Sequence, residues 1–234
     1  MEKTKLFCLP YAGGSAACYH PWRQYISHAI ELRPLELAGR GLRLGEPFYQ
    51  SITEAVIDIY KFIQKDLDDG PYAIFGHSMG CMLAYELAYM IKNSGHPSPC
   101  QLFFSGKCPP GIKNSREPLH LLRDREFIEE VFKMGGTPKE LLENQELLEI
   151  FLPILRADFK IVETYRHETK DERLASDLTV FWGKQEKGVT LGEIGMWRDY
   201  TDNNCQIHLF NGGHFFINDY VQDVVNIINS TLLS

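Results

Sequence analysis

Ser78 stands at the centre of Gly76-His77-Ser78-Met79-Gly80. A serine hydroxyl is a poor nucleophile until a neighbouring base takes its proton, so its surroundings decide whether it can do chemistry. The run Tyr72-Ala73-Ile74-Phe75 before it reads as a short buried strand, and Cys81-Met82-Leu83-Ala84-Tyr85-Glu86-Leu87-Ala88 after it has helix-forming composition. Strand, Gly-x-Ser-x-Gly, helix is the context of a nucleophile elbow, a turn so sharp that the serine oxygen projects above the strand ends. Gly76 and Gly80 are where a Cβ would clash across such a turn. The N–H of Met79, at the start of the new helix, would face an oxyanion forming on the acyl group under attack. The competing reading is a glycine-rich strand–helix turn with an incidental serine.

The base must be histidine-like, and a carboxylate must hold its tautomer. Chain order in an elbow-bearing hydrolase is serine, acid, histidine, each beyond the end of a strand. His214 follows the final strand-like run, Gln206 to Phe210, in Asn211-Gly212-Gly213-His214. His20, His28, His77, His96, His120, His167 and His208 lack that placement and read as surface or core residues. The acid belongs in the loop after the penultimate strand, Leu178 to Gly183, and the carboxylate there is Glu186. Asp158, Glu163 and Asp177 are the alternatives, although Asp177 precedes its strand and so sits at the wrong end. A second oxyanion donor is expected from the loop Pro10-Tyr11-Ala12-Gly13-Gly14-Ser15, with Ala12 favoured and Tyr11 second; the alternative there is a plain turn into a helix near Tyr19 to Ile30.

These residues need a scaffold that brings strand ends together. Strand signals at Leu6–Leu9, Leu32–Leu37, Tyr72–Phe75, Gln101–Gly106, Leu178–Gly183 and Gln206–Phe210 alternate with helical ones. The helix after Ser51 opens on a Ser51/Glu54 capping box and carries Ile52, Val56, Ile59, Ile63 and Leu67 at helical spacing. Such alternation predicts an α/β protein with a mostly parallel sheet and helices on both faces, and the elbow makes the α/β-hydrolase fold the expected form of it. From about 111 to 165 the strand signal stops. Helical pieces at Asp124–Lys133, Pro138–Leu142 and Gln145–Arg156, with Pro153 interrupting the last, predict a helical lid within one domain spanning 1–234. Leu141, Leu148, Phe151, Leu152 and Leu155 either line an acyl channel or form the lid's own small core. Arg40 and Arg43, in the loop Ala38 to Arg43, either meet a phosphate-bearing substrate or pair with nearby acids.

Composition narrows the partners. A net charge of −7 argues against nucleic acid and against an anionic membrane surface. The 6 cysteines, Cys8, Cys18, Cys81, Cys100, Cys108 and Cys205, show no Cys-x-x-Cys spacing, which suits free thiols in a reducing compartment. No Gly-x-Gly-x-x-Gly fingerprint is present. With no signal peptide or membrane-length apolar run visible, a cytoplasmic soluble monomer is expected.

Several further motifs give the chain a family resemblance. Leu9-Pro10-Tyr11-Ala12-Gly13-Gly14, Glu36-Leu37-Ala38-Gly39-Arg40-Gly41 through Glu46-Pro47, Tyr72 to Gly80, Gly135-Gly136-Thr137-Pro138, Leu155-Arg156-Ala157-Asp158 and Gly212-Gly213-His214-Phe215-Phe216 occur in one order. Together they resemble the type II thioesterases that serve nonribosomal peptide and polyketide synthases, over nearly the whole length. The departure is Gly183-Lys184-Gln185-Glu186-Lys187-Gly188-Val189, where that family usually has Asp, so the acid's geometry is the point to check. The resemblance implies hydrolysis of acyl or aminoacyl thioesters from the phosphopantetheine arm of carrier proteins, in editing or off-loading. Ser78, His214 and Glu186 would be catalytic, Met79 and Ala12 would form the oxyanion hole, and no cofactor or metal is implied. A small-ester carboxylesterase and a non-catalytic binding protein on the same fold are the competing functions.

Overall fold

The central strands carry consecutive apolar residues, Leu6–Leu9, Tyr72–Phe75, Leu102–Phe104 and Val180–Trp182, the pattern expected where both faces of a sheet are covered. The computed structural model describes residues 3–112, 117–136, 144–186 and 188–234. Its strands are β1 (Thr4–Leu9), β2 (Ile30–Pro34), β3 (Tyr72–His77), β4 (Gln101–Ser105), β5 (Asp177–Gly183) and β6 (Cys205–Phe210). They form one sheet in the order β2-β1-β3-β4-β5-β6, and every neighbouring pair is parallel. The helices are α1 (Ile52–Ile63), α2 (Met79–Asn93), α3 (Asp124–Lys133), α4 (Gln145–Thr164), α5 (Leu191–Gly195), α6 (Phe216–Asp219) and α7 (Val221–Leu232). This is the α/β-hydrolase arrangement that the alternation predicts.

Successive side chains along each strand enter different cores. Phe7, Leu9, Tyr72 and Ile74 pack with α1 and α2 through Val56, Ile59, Leu83 and Leu87. Leu6, Cys8, Ala73 and Phe75 pack on the other face with Tyr19, Trp22, Val224 and Ile228. Fully burying one such side chain contributes about 1.5–3 kcal/mol.

Strand order creates the crevice. The chain leaves β1 toward β2 on one side and returns to β3 on the other, so the loops after β1 and β3 diverge from adjacent strand ends. Leu9 is in register with Gly76, which puts Pro10–Ser15 beside the elbow.

Several local expectations need correction. The helix expected near Tyr19–Ile30 is a 3-10 helix over Ala16–Gln24, because Pro21 has no N–H to continue an α-helical ladder. β2 ends at Pro34 rather than running to Leu37, tolerable on an edge strand. Ser51 caps α1 through the Glu54 N–H at 3.1 Å, but Glu54 reaches back to the Gln50 N–H at 2.7 Å instead of closing the box on Ser51. Pro153 does not interrupt α4: the helix runs to Thr164, and the carbonyl left free at Glu149 lies on an exposed face where water can satisfy it. The segment Pro138–Leu142 lies outside the described residues. Helix α5, capped by a Thr190/Glu193 box, was not anticipated. Among the described residues no helix is long and apolar enough to cross a membrane.

Steric room at the elbow is the most demanding feature of the fold. A Cβ on Gly76 would lie 2.1 Å from the Gly80 carbonyl oxygen, and one on Gly80 would lie 2.2 Å from that of Leu9. These are backbone obstacles that no rotamer change can relieve. Gly76→Ala is therefore expected to lose about 3 kcal/mol or more in urea unfolding, a loss confined to specific packing failures. Gly95→Ala, at φ +83° with open space around it, should lose only about 1 kcal/mol. Equal losses would contradict the steric account.

Candidate active site

Ser78 has φ 54° and ψ −112° and is the one non-glycine residue with positive φ among those described. Holding a side chain there costs about 1–3 kcal/mol, so the surroundings must impose it. The Ser78 N–H donates to the Ser105 carbonyl at 2.8 Å, and its own carbonyl accepts the Cys81 N–H at 3.0 Å. The Cys81 sulfur fills the space beneath. It lies 2.9 Å from the Gly76 carbonyl oxygen and accepts the Ser105 N–H at 3.0 Å. Burial pushes this thiol up to about 12, so Cys81 stays protonated and does not compete with the serine as a nucleophile. Met79 is the first residue of α2, so its N–H is one of the free donors at that helix's positive end.

His214 and Glu186 come from loops bonded to each other through backbone. The Lys184 N–H donates to Phe210 at 2.9 Å and the Gln185 N–H donates to Gly212 at 2.9 Å, while the Glu186 N–H closes a turn on Gly183 at 3.1 Å. Gly183 permits this contact, since a Cβ there would lie 2.3 Å from the Gly213 carbonyl oxygen. The turn delivers Glu186 Oε1 to 2.8 Å from His214 Nδ1, with both side chains mostly buried. A carboxylate on Nδ1 fixes that nitrogen as the protonated one and leaves Nε2 free to accept a proton. Glu186 Oε2 is buried without a partner among the described residues. No hydrogen bond joins the Ser78 hydroxyl to His214 among the described residues. Such bonds are commonly long before substrate arrives and tighten with it.

The other acids are engaged elsewhere. Asp158 is paired with Arg40 at 2.6 Å, Glu163 accepts from His120 and from the Leu119 and His120 N–H groups, and Asp177 caps Asn204 at the opposite end of β5. Arg43 is bound to Glu46 and Asp58, so both arginines singled out in the loop after β2 pair with acids rather than standing free for phosphate. Of the apolar residues on α4, Leu152 and Leu155 pack with Phe127 and Val131, which makes them part of that segment's own core; Leu141 lies outside the described residues. A polar cleft of about 430 Å³ lined by Gln101, Asp177, Asn204 and His208 opens at the amino ends of the strands, remote from Ser78.

His77 is a neighbour that sequence spacing did not mark as part of the site. Its ring is fully buried, lies 5.1 Å from the His214 ring, and has Nδ1 2.8 Å from the Ser105 hydroxyl. Burial, followed by the nearby His214, holds its pKa well below the usual histidine range. The unfolded chain therefore takes up a proton near pH 6.5 that the folded protein refuses, and stability is lost as pH falls below that point. The expected slope is about 1.4 kcal/mol per pH unit for this one group. Urea unfolding between pH 6.5 and 5.5 should show a shallower slope in His77→Gln than in the native protein; identical slopes would contradict a neutral, buried His77.

The Thioesterase domain family matches residues 4–232. Among curated relatives, linear gramicidin dehydrogenase LgrE of Brevibacillus parabrevis is 36% identical over 98% of this chain and 88% of its own. Thioesterase PikA5 of Streptomyces venezuelae is 31% identical over 98% of this chain and 81% of its own. The crystal structure of ClbQ from the colibactin nonribosomal peptide/polyketide pathway superposes with a TM-score of 0.94 at 40% identity, covering 99% of this chain and 97% of that one. With its elbow serine, the Glu186–His214 contact and a family match over nearly its full length, the chain belongs to the thioesterase family.

Proposed function

We propose that this protein is a type II thioesterase that hydrolyses acyl or aminoacyl thioesters from the phosphopantetheine arms of carrier proteins, clearing or releasing intermediates of peptide and polyketide assembly. The observation that carries the reading is the Glu186–His214 hydrogen bond beside an elbow serine held at positive φ. The thioesterase family match and the name of PikA5 support thioester substrates, and the pathway named for ClbQ supports peptide and polyketide assembly as their source. One relative is named a dehydrogenase, but a dinucleotide site calls for Gly-x-Gly-x-x-Gly after the first strand. This chain has Pro10-Tyr11-Ala12-Gly13-Gly14 there. That loop favours hydrolysis. On this reading the protein works in the cytoplasm as a monomer, with the segment around α3 and α4 as a lid over the acyl pocket.

In this mechanism His214 Nε2 takes the Ser78 proton as the hydroxyl attacks the thioester carbonyl. The N–H groups of Met79 and Ala12 stabilise the oxyanion. Collapse expels the pantetheine thiol, which receives the proton from His214. His214 then activates water, the acyl–serine bond is cleaved, and the acid and free Ser78 are restored. Glu186 holds the ring and stabilises the imidazolium in both halves. It is one methylene longer than the usual aspartate, and the turn closed on Gly183 positions it for that length.

Ser78→Ala is expected to abolish turnover with the fold intact, checked by hydrolysis of acyl-loaded carrier protein together with circular dichroism. Glu186→Ala should lower kcat by about 10⁴, and Glu186→Asp much less; full activity in Glu186→Ala would move the acid elsewhere. A panel of acyl chains presented on carrier proteins and as free oxygen esters tests the substrate class. Preference for the carrier-bound thioesters supports the reading, and indifference to the carrier favours a small-ester carboxylesterase.

A further inference from the structure

Arg40 and Asp158 form an ion pair that the mechanism above does not use. Both side chains are almost wholly excluded from solvent, at 4% and 3% exposure. The guanidinium grips the carboxylate as a fork, Nη1 to Oδ2 at 2.6 Å and Nη2 to Oδ1 at 2.7 Å. Burying two charges costs several kcal/mol per ion, and a well-packed apolar pair is often as stable or more so. What a buried pair can supply instead is a fixed geometry.

The geometry fixed here is that of the loop after β1. Asp158 Oδ2 also accepts the Gly13 N–H at 2.7 Å, and Arg40 Nη1 also donates to the Gly14 carbonyl at 3.1 Å. Tyr11–Gly14 is a tight turn closed by the Gly14 N–H on the Tyr11 carbonyl at 2.9 Å, with Gly13 at φ +78°. Positive φ at the third position is the mark of a type II turn. Its central peptide is the one whose N–H points at Asp158. The next peptide back pairs the Tyr11 carbonyl with the Ala12 N–H, and because its oxygen is turned inward toward Gly14, that N–H is directed away from the turn. Leu155, one helical turn before Asp158, covers Gly13: a Cβ there would lie 2.3 Å from Leu155 Cδ2. Three segments distant in sequence thus meet on one turn.

We propose that Arg40 and Asp158 are positioning residues for the thioester reaction: their buried ion pair clamps the Tyr11–Gly14 turn to α4 and so aims the Ala12 N–H at the oxyanion. The proposal rests on the assignment of Ala12 as an oxyanion donor. It also makes the turn's geometry depend on how α4 is seated, so that docking of the helix and completion of the oxyanion hole are one event.

The decisive variant combines Arg40→Met with Asp158→Leu, which removes both charges and refills the space. Its thermal unfolding should stay within a few degrees of the native protein. On a medium-chain acyl N-acetylcysteamine thioester its kcat should fall about 100-fold with KM nearly unchanged, the scale of losing one oxyanion donor. A folded double variant with kcat within threefold of native would overturn the proposal and leave the pair a structural element only. Should the double variant fail to fold, Asp158→Asn is read the same way, since it keeps an acceptor for Gly13 but not the charged fork. The rate at which a fluorophosphonate labels Ser78 is the second readout, and it should fall in parallel in each folded variant. Native protein that is labelled but hydrolyses no thioester would count against the proposed function, while the labelling rates would still decide the role of Arg40 and Asp158.

Discussion

The backbone at Ser78 is held at φ 54° and ψ −112°, where an L-residue is strained, and the upper end of the sheet is built to keep it there. Gly76 lets the strand and the following helix pass, and Gly80 lets that helix approach the end of β1, at separations no side chain would allow. The Cys81 sulfur ties β3 to the end of β4 beneath the turn. The reward for that strain is placement: the hydroxyl stands clear of the sheet while the next N–H already lies at the start of α2. The geometry is set before substrate arrives, which is where electrostatic stabilisation of a transition state is most effective.

The acid shows how two loops fix one contact. Glu186 has a longer side chain than an aspartate, and its carboxylate lies 2.8 Å from His214 Nδ1. Backbone bonds from Lys184 to Phe210 and from Gln185 to Gly212 register the acid loop against the histidine loop, so the longer side chain starts from a fixed place. His77 is fully buried and both Glu186 and His214 are mostly buried, so this corner is shielded from water, which favours a firmly oriented imidazole.

Much of this was legible in the sequence because it follows from local rules. The elbow is written in five contiguous residues, and the alternation of strands and helices dictates a parallel sheet. Chain order then puts Glu186 and His214 after β5 and β6. What was illegible depends on contacts between distant segments. Nothing near Arg40 reveals that its partner lies 118 residues away on α4, or that Asp158 serves the loop after β1 rather than a histidine. His77 looked like filler because its neighbour, His214, arrives only when the last strand docks. Pro153 misled because its local cost, a lost bond to Glu149 and a clash with that carbonyl worth about 3 kcal/mol, is outweighed by long-range burial of Ile154, Leu155, Asp158 and Ile161 in the turns that follow.

The account comes down to a strained serine that carries the acyl group between the carrier's thiol and water. Intact-protein and peptide mass spectrometry after rapid mixing with an acyl-loaded carrier protein tests this directly, in His214→Ala as well as the native chain. The account predicts a transient acyl mass on the peptide containing Ser78 in the native protein, and none in His214→Ala. Thioester hydrolysis at the native rate with no acyl adduct on Ser78, or with the adduct on Cys81, would contradict it.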